Sequence, residues 1–367
     1  MDFAFTQEQE MLRESVARYL EKNYDFDARQ DLVKSDEGWS EQVWNQFAEL
    51  GLLALPFSEE KGGLGGSISD CVAFAQSFGK HLVVEPYAFA IALAGAAFEA
   101  SDSPLADQWI EKLATGEAVA AFAYEEGKGS STPDLIRMTA TVDGDGYTLN
   151  GEKKLVIAGA QAEAIVVAAR VGEEGSIGFF LVDQEADGLS LSSYKTIDGR
   201  SAANIRFNAV AVSGDAILTL DATEALEAML AKAIIIQAAE AVGAIEALVK
   251  ISSEYALTRK QFGQPIMMFQ SIAHRLADMK IAYTKALSTL IYTTALATSG
   301  AAKPRDIAVL KAQIGKLGKE VGESAIQIHG GLGLTDELNV GHYHKRLLAF
   351  DAQLGDHTYH MRMIGQA

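Results

Sequence analysis

The chain has 367 residues, 49% of them hydrophobic, and a formal net charge of −18. That length supports two or three domains with substantial cores, and the acidic balance disfavours nucleic acid and anionic lipid, whose binding is driven by clustered Lys and Arg. Cys71 is the only cysteine, which excludes an intrachain disulfide or a cysteine metal cluster and reads as a small buried hydrophobe.

The opening Met-Asp-Phe-Ala-Phe-Thr6 has no basic region followed by an apolar one, so no secretory signal is expected. Residues 7–118 read as a helical domain. Thr6 is placed to N-cap the first helix, where Leu12, Val16, Tyr19 and Leu20 share a face. A glycine-rich break at Lys61-Gly-Gly-Leu-Gly-Gly-Ser67 precedes helices through Cys71–Gly79 and Ala88–Glu99.

From Val119 the texture changes, and residues 119–220 read as an antiparallel β-domain. Short β-prone runs at 138–142, 147–149, 154–157, 164–170, 177–182 and 189–194 are separated by Asp143-Gly-Asp-Gly146, Asn150-Gly151 and Asp187-Gly188. Asn150-Gly151 between two apolar runs signals a hairpin turn. Residues 221–367 are helical again: 225–257, 270–299 and 306–329 are long, with alanine-rich faces suited to close packing in a bundle. The most apolar run, 231–242, is broken by Lys232, Gln237 and Glu240 and is too short to span a bilayer. The block order helical, β, helical argues for separate domains of a multidomain α+β protein, with residues 1–118 as the first. A soluble, cytoplasmic protein is expected.

Two strings carry chemistry. Arg259-Lys-Gln-Phe-Gly-Gln-Pro-Ile266 follows the longest helix. A guanidinium fork suits a pyrophosphate, and glycine lets the backbone approach a ligand closely. The bland alternative is a helix–loop–helix with a capping arginine. Gln327-Ile-His-Gly-Gly-Leu-Gly-Leu-Thr-Asp-Glu337 ends another helix at a glycine pair, which is also ordinary capping chemistry. Taken together with Phe269-Gln270 and His274-Arg-Leu-Ala-Asp-Met279, the first string resembles the signature of the acyl-CoA dehydrogenase family. The second resembles that family's Gln-x-x-Gly-Gly-x-Gly pattern, and Gly51-Leu-Leu53 with Pro56-Phe-Ser-Glu-Glu-Lys-Gly-Gly-Leu-Gly-Gly66 resembles a further landmark.

The resemblance covers the whole chain. It implies an N-terminal helical domain, a central β-domain, a C-terminal four-helix bundle and tetramer-type assembly. It implies FAD as cofactor, with Arg259, Phe262, Gly263, Gln270, Gln327, Gly330 and Gly331 touching its adenosine-pyrophosphate end across a subunit boundary. The implied reaction takes the α-proton of an acyl-CoA thioester and passes the β-hydride to the flavin. Electron-transfer flavoprotein would be the acceptor.

The sequence departs from the family at the base. Aligning Arg346 on the family's arginine puts Gly355 at the position of the usual glutamate, and an ungapped count from Glu337 puts Leu354 there. A second family location, on the long helix, falls near Ala233. None of these takes a proton. Asp356, next to the first location, stands as candidate base against a role capping its own turn. Glu240 stands against a buried polar contact. The strings that hold the flavin ring in relatives, Thr-Glu-Pro…Gly-Ser-Asp and Trp-Ile-Thr, read here Ala123-Tyr-Glu-Glu-Gly-Lys-Gly-Ser-Ser-Thr132 and Lys153-Lys-Leu-Val-Ile-Ala-Gly159.

Three readings stand. The chain is similar to the partner subunit of bacterial heteromeric α2β2 enzymes, whose base lies on a homologous subunit; that resemblance implies dicarboxylyl or steroid side-chain acyl-CoA substrates and a place in lipid or steroid degradation. Or it is a self-sufficient homotetramer with Asp356 as base. Or it is another flavin oxidoreductase on the same scaffold, a monooxygenase or nitroalkane-type oxidase with an Asp base. His342, His344, His357 and His360 crowd the C-terminus without a Cys or Glu at ligand spacing, so no metal is expected. Met267-Met268 reads as interface packing.

Overall fold

The computed structural model describes residues 5–127, 135–172 and 175–366. Its helices are α1 (Gln7–Asn23), α2 (Phe26–Lys34), α3 (Glu41–Glu49), α4 (Ile68–His81), α5 (Tyr87–Phe89), α6 (Ala96–Glu99) and α7 (Pro104–Thr115). Strands β1 (Ala120–Ala123), β2 (Thr139–Asp143), β3 (Gly146–Ile157), β4 (Ala164–Val171), β5 (Ile177–Asp183), β6 (Leu189–Lys195), β7 (Ser201–Val212) and β8 (Ile217–Thr219) follow. The chain then forms α8 (Thr223–Thr258), the short strands β9 (Lys260–Gln261) and β10 (Gln264–Pro265), α9 (Gln270–Thr298), α10 (Pro304–His329), α11 (Asn339–Ala352) and α12 (His357–Gln366). The helical, β, helical order is the one expected. Packing groups these elements into two units that interleave along the sequence. One comprises residues 1–31, 68–83 and 234–367, the other 32–67 and 84–233.

The second unit is built on one sheet of order β6-β7-β3-β2-β4-β5-β8, with β1 added on β4. Most pairings are antiparallel, but β1 and the start of β2 run parallel to β4. The hairpin turn lies at Gly144-Asp145, where Asp143 pairs with Gly146. Asn150-Gly151 is not a turn: it sits inside β3 where the pairing with β7 slips. Asn150 Oδ1 accepts the N–H of Ala209 at 2.8 Å, and Gly151 holds φ +150° with its Cα hydrogen against Met138, where a Cβ would lie 2.9 Å from Met138 Cγ. The pairing of a twelve-residue strand outweighs a dipeptide's turn preference here. The glycine-rich break folds back on its own approach, with Leu64, Gly65 and Gly66 N–H groups donating to the carbonyls of Ala54, Phe57 and Leu55. In the segment after α5, residues Ala90–Gly95 form a buried π-turn with Gly95 against the Phe57 ring.

The first unit is helical. Thr6 and Gln9 form the expected start of α1 as a reciprocal capping box, and Gln9 Nε2 donates to Asp70 Oδ1 on α4 at 3.0 Å. Helices α4 and α8 meet backbone to backbone: a methyl on Gly79 would overlap the Glu240 carbonyl, and one on Gly243 the Gln76 carbonyl. Helix α10 lays Gly315, Gly318 and Gly322 against Asp351, Leu347 and His344. Over its full length α8 is long and apolar enough to cross a membrane, which the contiguous run 231–242 understated, but most of its apolar window is buried inside the protein.

Candidate functional site

The first string forms the exit of α8. The Arg259 N–H still donates to Tyr255 O at 2.8 Å, after which β9 and β10 pair as a minimal hairpin. Its two turn residues, Phe262 and Gly263, hold φ +52° and +80°, the pair of positive values that a tight hairpin needs and that glycine meets without strain. The Ile266 N–H closes the loop on Arg259 O at 2.8 Å. The hairpin therefore thrusts the Phe262 ring, 92% exposed, outward beside an exposed Arg259 side chain. The Phe269 ring meets it edge-on at 6.1 Å, and Gln270 begins α9.

The second string ends α10. Gly330, at φ +62°, turns the chain into a short 3-10 segment through Leu334. A Cβ added at Gly330, Gly331 or Gly263 meets nothing within 4 Å. Open glycine backbone flanked by an arginine and a flat aromatic ring fits a nucleotide pyrophosphate and its base. The two strings are joined by a contact that the sequence did not announce: the rings of Tyr255, one turn before Arg259, and His329, one residue before Gly330, stack at 4.3 Å and 25°. His329 Nδ1 donates to Ala325 O at 2.8 Å, and burial lowers its pKa. Arg259, Phe262, Gly263 and the Gln327–Gly331 turn are thus gathered at one end of the helices.

The C-terminal turn expected to concern the base is built as a clasp. Leu354 and Gly355 both adopt left-handed backbone, φ +54° and +86°. Lys311, fully buried on α10, donates to the Asp351 and Gly355 carbonyls at 3.1 and 2.6 Å and lies 4.5 Å from the Phe350 ring centre. His360 Nε2 donates to Leu354 O at 2.9 Å. Burial pushes the His360 pKa down to about 4, so the ring is neutral around pH 7. A side chain at 355 has no room, since its Cβ would lie 2.6 Å from Tyr359 Cδ1 and 2.8 Å from His360 Nε2. Asp356 is exposed and caps α12, its Oδ1 accepting the Tyr359 N–H at 2.6 Å. Glu240 is buried and faces Arg346 at 3.6 Å, while Arg346 Nη1 also donates to Val83 O at 2.9 Å. Ala233 is fully buried in α8.

The C-terminal histidines have separate tasks. Besides His360, His342 Nδ1 meets the buried Arg29 at 3.0 Å, His344 packs on Gly322, and His357 Nδ1 meets Asp351 Oδ2 at 2.7 Å.

In the second unit, the string at 123–132 lies partly outside the described residues. Lys153 is fully buried, donating to Tyr124 O at 3.2 Å and Glu126 Oε1 at 2.7 Å. Glu126 also accepts the N–H groups of Arg137 and Met138 at 2.9 and 3.0 Å. Desolvation outweighs the Glu126 charge and lowers the Lys153 pKa to about 8. Along 153–159 the backbone N–H groups of Lys154, Leu155, Ala158 and Gly159 are already taken, by Glu125 O, Asn204 Oδ1, Ser201 O and Val156 O. With no hydroxyl or indole in that string, it has little to offer the polar edge of a flavin ring. Among the described residues, the turns at Arg259–Gly263 and Gly330–Gly331 fit the adenosine end of FAD, and the 153–159 string shows no matching donors for the ring end.

Comparison with known proteins meets this geometry. Three family profiles match in succession: "Acyl-CoA dehydrogenase, N-terminal domain" over residues 6–117, "middle domain" over 121–210 and "C-terminal domain" over 223–367. The chain belongs to the acyl-CoA dehydrogenase family. It is thus an oxidoreductase of acyl-CoA dehydrogenase type, in an FAD-dependent family. It is 30% identical to the probable acyl-CoA dehydrogenase YngJ of Bacillus subtilis, over 93% of this chain and 92% of that protein. Among solved structures it is similar to the ChsE4-ChsE5 complex from Mycobacterium tuberculosis, with a TM-score of 0.91 and 25% identity over 100% of this chain and 98% of that one. It is also similar to a single-residue variant of the Tcur3481-Tcur3483 steroid ACAD, with a TM-score of 0.88 and 25% identity over 98% and 97% of the two chains.

Proposed function

We propose that this chain is one subunit of a heteromeric, FAD-dependent acyl-CoA α,β-dehydrogenase, supplying contacts to the adenosine-pyrophosphate end of FAD while a homologous subunit supplies the base. The observation that carries this reading is the turn at Gly355. The backbone there is left-handed, the space for a side chain is filled by Tyr359 and His360, and the neighbouring Asp356 is spent on an N-cap. Removing an α-proton from a thioester needs a positioned, partly desolvated carboxylate. Glu240, the candidate carboxylate on α8, is engaged with Arg346.

In this reading Arg259 holds pyrophosphate oxygens, the glycine turns at 263 and 330–331 let the backbone approach, and Phe262 covers the adenine. FAD held by these residues would supply the acceptor for the hydride that leaves the β-carbon. The ChsE4-ChsE5 complex and the double-named Tcur3481-Tcur3483 steroid ACAD among the similar structures support a two-subunit arrangement. Electron-transfer flavoprotein is the electron acceptor in this proposal, and the compartment is the cytoplasm.

The test is flavin absorbance of the chain purified alone and co-expressed with a homologous chain encoded beside it. A colourless chain that becomes yellow and is bleached by acyl-CoA only with its neighbour, and is indifferent to Asp356→Asn, is the expected outcome. A yellow homotetramer bleached by acyl-CoA on its own, with Asp356→Asn abolishing the bleaching, would make it a self-sufficient enzyme instead.

A further inference from the structure

Gln237 lies in the most deeply buried stretch of α8, between Ile236 and Ala238, and is 2% exposed. Neither its Nε2 nor its Oε1 has a hydrogen-bond partner among the described residues. A buried amide without partners bears the full desolvation penalty of two donor hydrogens and an acceptor, and an apolar side chain of the same size would avoid it. Two other large buried polar groups of this unit have partners among the described residues. Glu240, one turn on, faces Arg346, and Lys311 has two carbonyls. The hydroxyls of Ser252 and Thr294 are also unmet, but each is a single rotatable group, whereas Gln237 leaves a whole planar amide open.

From this we infer that Gln237 is a specificity residue that hydrogen-bonds a hydroxyl group on the acyl part of the substrate. The inference rests on the acyl-CoA reading above. The chemistry selects the group. Both amide ends are unmet, and a hydroxyl both donates and accepts, so it can serve either end. A thioester carbonyl or a carboxylate only accepts, and the nearby cation, Arg346, already faces Glu240. Ala233 and Ala241, four residues to either side on the same helix face, carry only methyl groups. The helix surface flanking the amide is therefore low.

The test uses the assembled, flavin-loaded enzyme with hexanoyl-CoA and its monohydroxylated forms, one at a time. It compares the parent with Gln237→Leu and Gln237→Met, reading dissociation constants by ligand-induced flavin spectral change and ligand-free melting temperature. The parent should bind at least one hydroxylated form about tenfold tighter than hexanoyl-CoA, and both variants should lose that preference. Their ligand-free melting temperatures should equal or exceed the parent's, because an unmet amide has been removed. Lower melting temperatures in both variants would assign Gln237 a structural hydrogen bond and overturn the inference. So would a parent that binds hexanoyl-CoA without preferring any hydroxylated form, a result that leaves the acyl-CoA reading standing. If no thioester binds the parent, that reading itself fails and the inference with it.

Discussion

Writing the family's glutamate back into the turn, Gly355→Glu, should fail to create a base and should destabilise the helical unit. Gly355 sits at φ +86°, where a residue with a Cβ costs about 1–2 kcal/mol. The added Cβ would press on Tyr359 Cδ1 at 2.6 Å and His360 Nε2 at 2.8 Å, and overpacking of this kind costs about 1–3 kcal/mol. The sum is about 2–5 kcal/mol, or roughly 4–20 °C in melting temperature for a unit of this size. Because the strain begins at the Cβ, Gly355→Ala should lose much of the same stability. The assay is thermal unfolding of parent, Gly355→Ala and Gly355→Glu, with flavin bleaching by hexanoyl-CoA for each chain purified alone. If Gly355→Glu melts with the parent and gains bleaching without a partner subunit, the turn has room for a base and the reasoning is wrong.

The Tyr255–His329 stack should matter to cofactor retention through the geometry of both strings. An aromatic pair is worth about 0.5–1.5 kcal/mol beyond its buried area, so Tyr255→Leu should weaken FAD binding about 2- to 12-fold while Tyr255→Phe stays near the parent; fluorescence titration of the deflavinated enzyme reads both, and equal losses in the two variants would discard the stack as the cause. Lys153 gives a pH signature of unusual sign. Its pKa falls from 10.5 to about 8 on folding, so between those values the unfolded chain holds a proton that the folded chain has released, and stability from this group rises with pH. Parent minus Lys153→Met unfolding free energy, measured in denaturant near pH 8 and near pH 10, should increase; a flat or falling difference would show that Lys153 keeps its proton.

Much of this protein was legible from residues alone because local chemistry acts over a few positions. The Thr6 N-cap, the helical face of α1, the β-prone runs and the glycines at 263 and 330 are all choices that a short window makes. The lack of a carboxylate at 354 and 355 was legible as well, since an absent side chain is absent in any fold. What only the tertiary structure decided involves partners far apart in sequence. Asn150-Gly151 has the composition of a turn, yet pairing with β7 makes it a bulge. Asp356 and Glu240 read as carboxylates open to either role until the Tyr359 N–H and Arg346 stood beside them. Lys311 is a charge on the buried side of α10 with no local explanation, because the carbonyls it holds are supplied by a turn some forty residues later. The unmet amide of Gln237 could not be read in sequence at all. Lack of a partner is a property of everything packed around a residue, and only the folded chain specifies that surrounding.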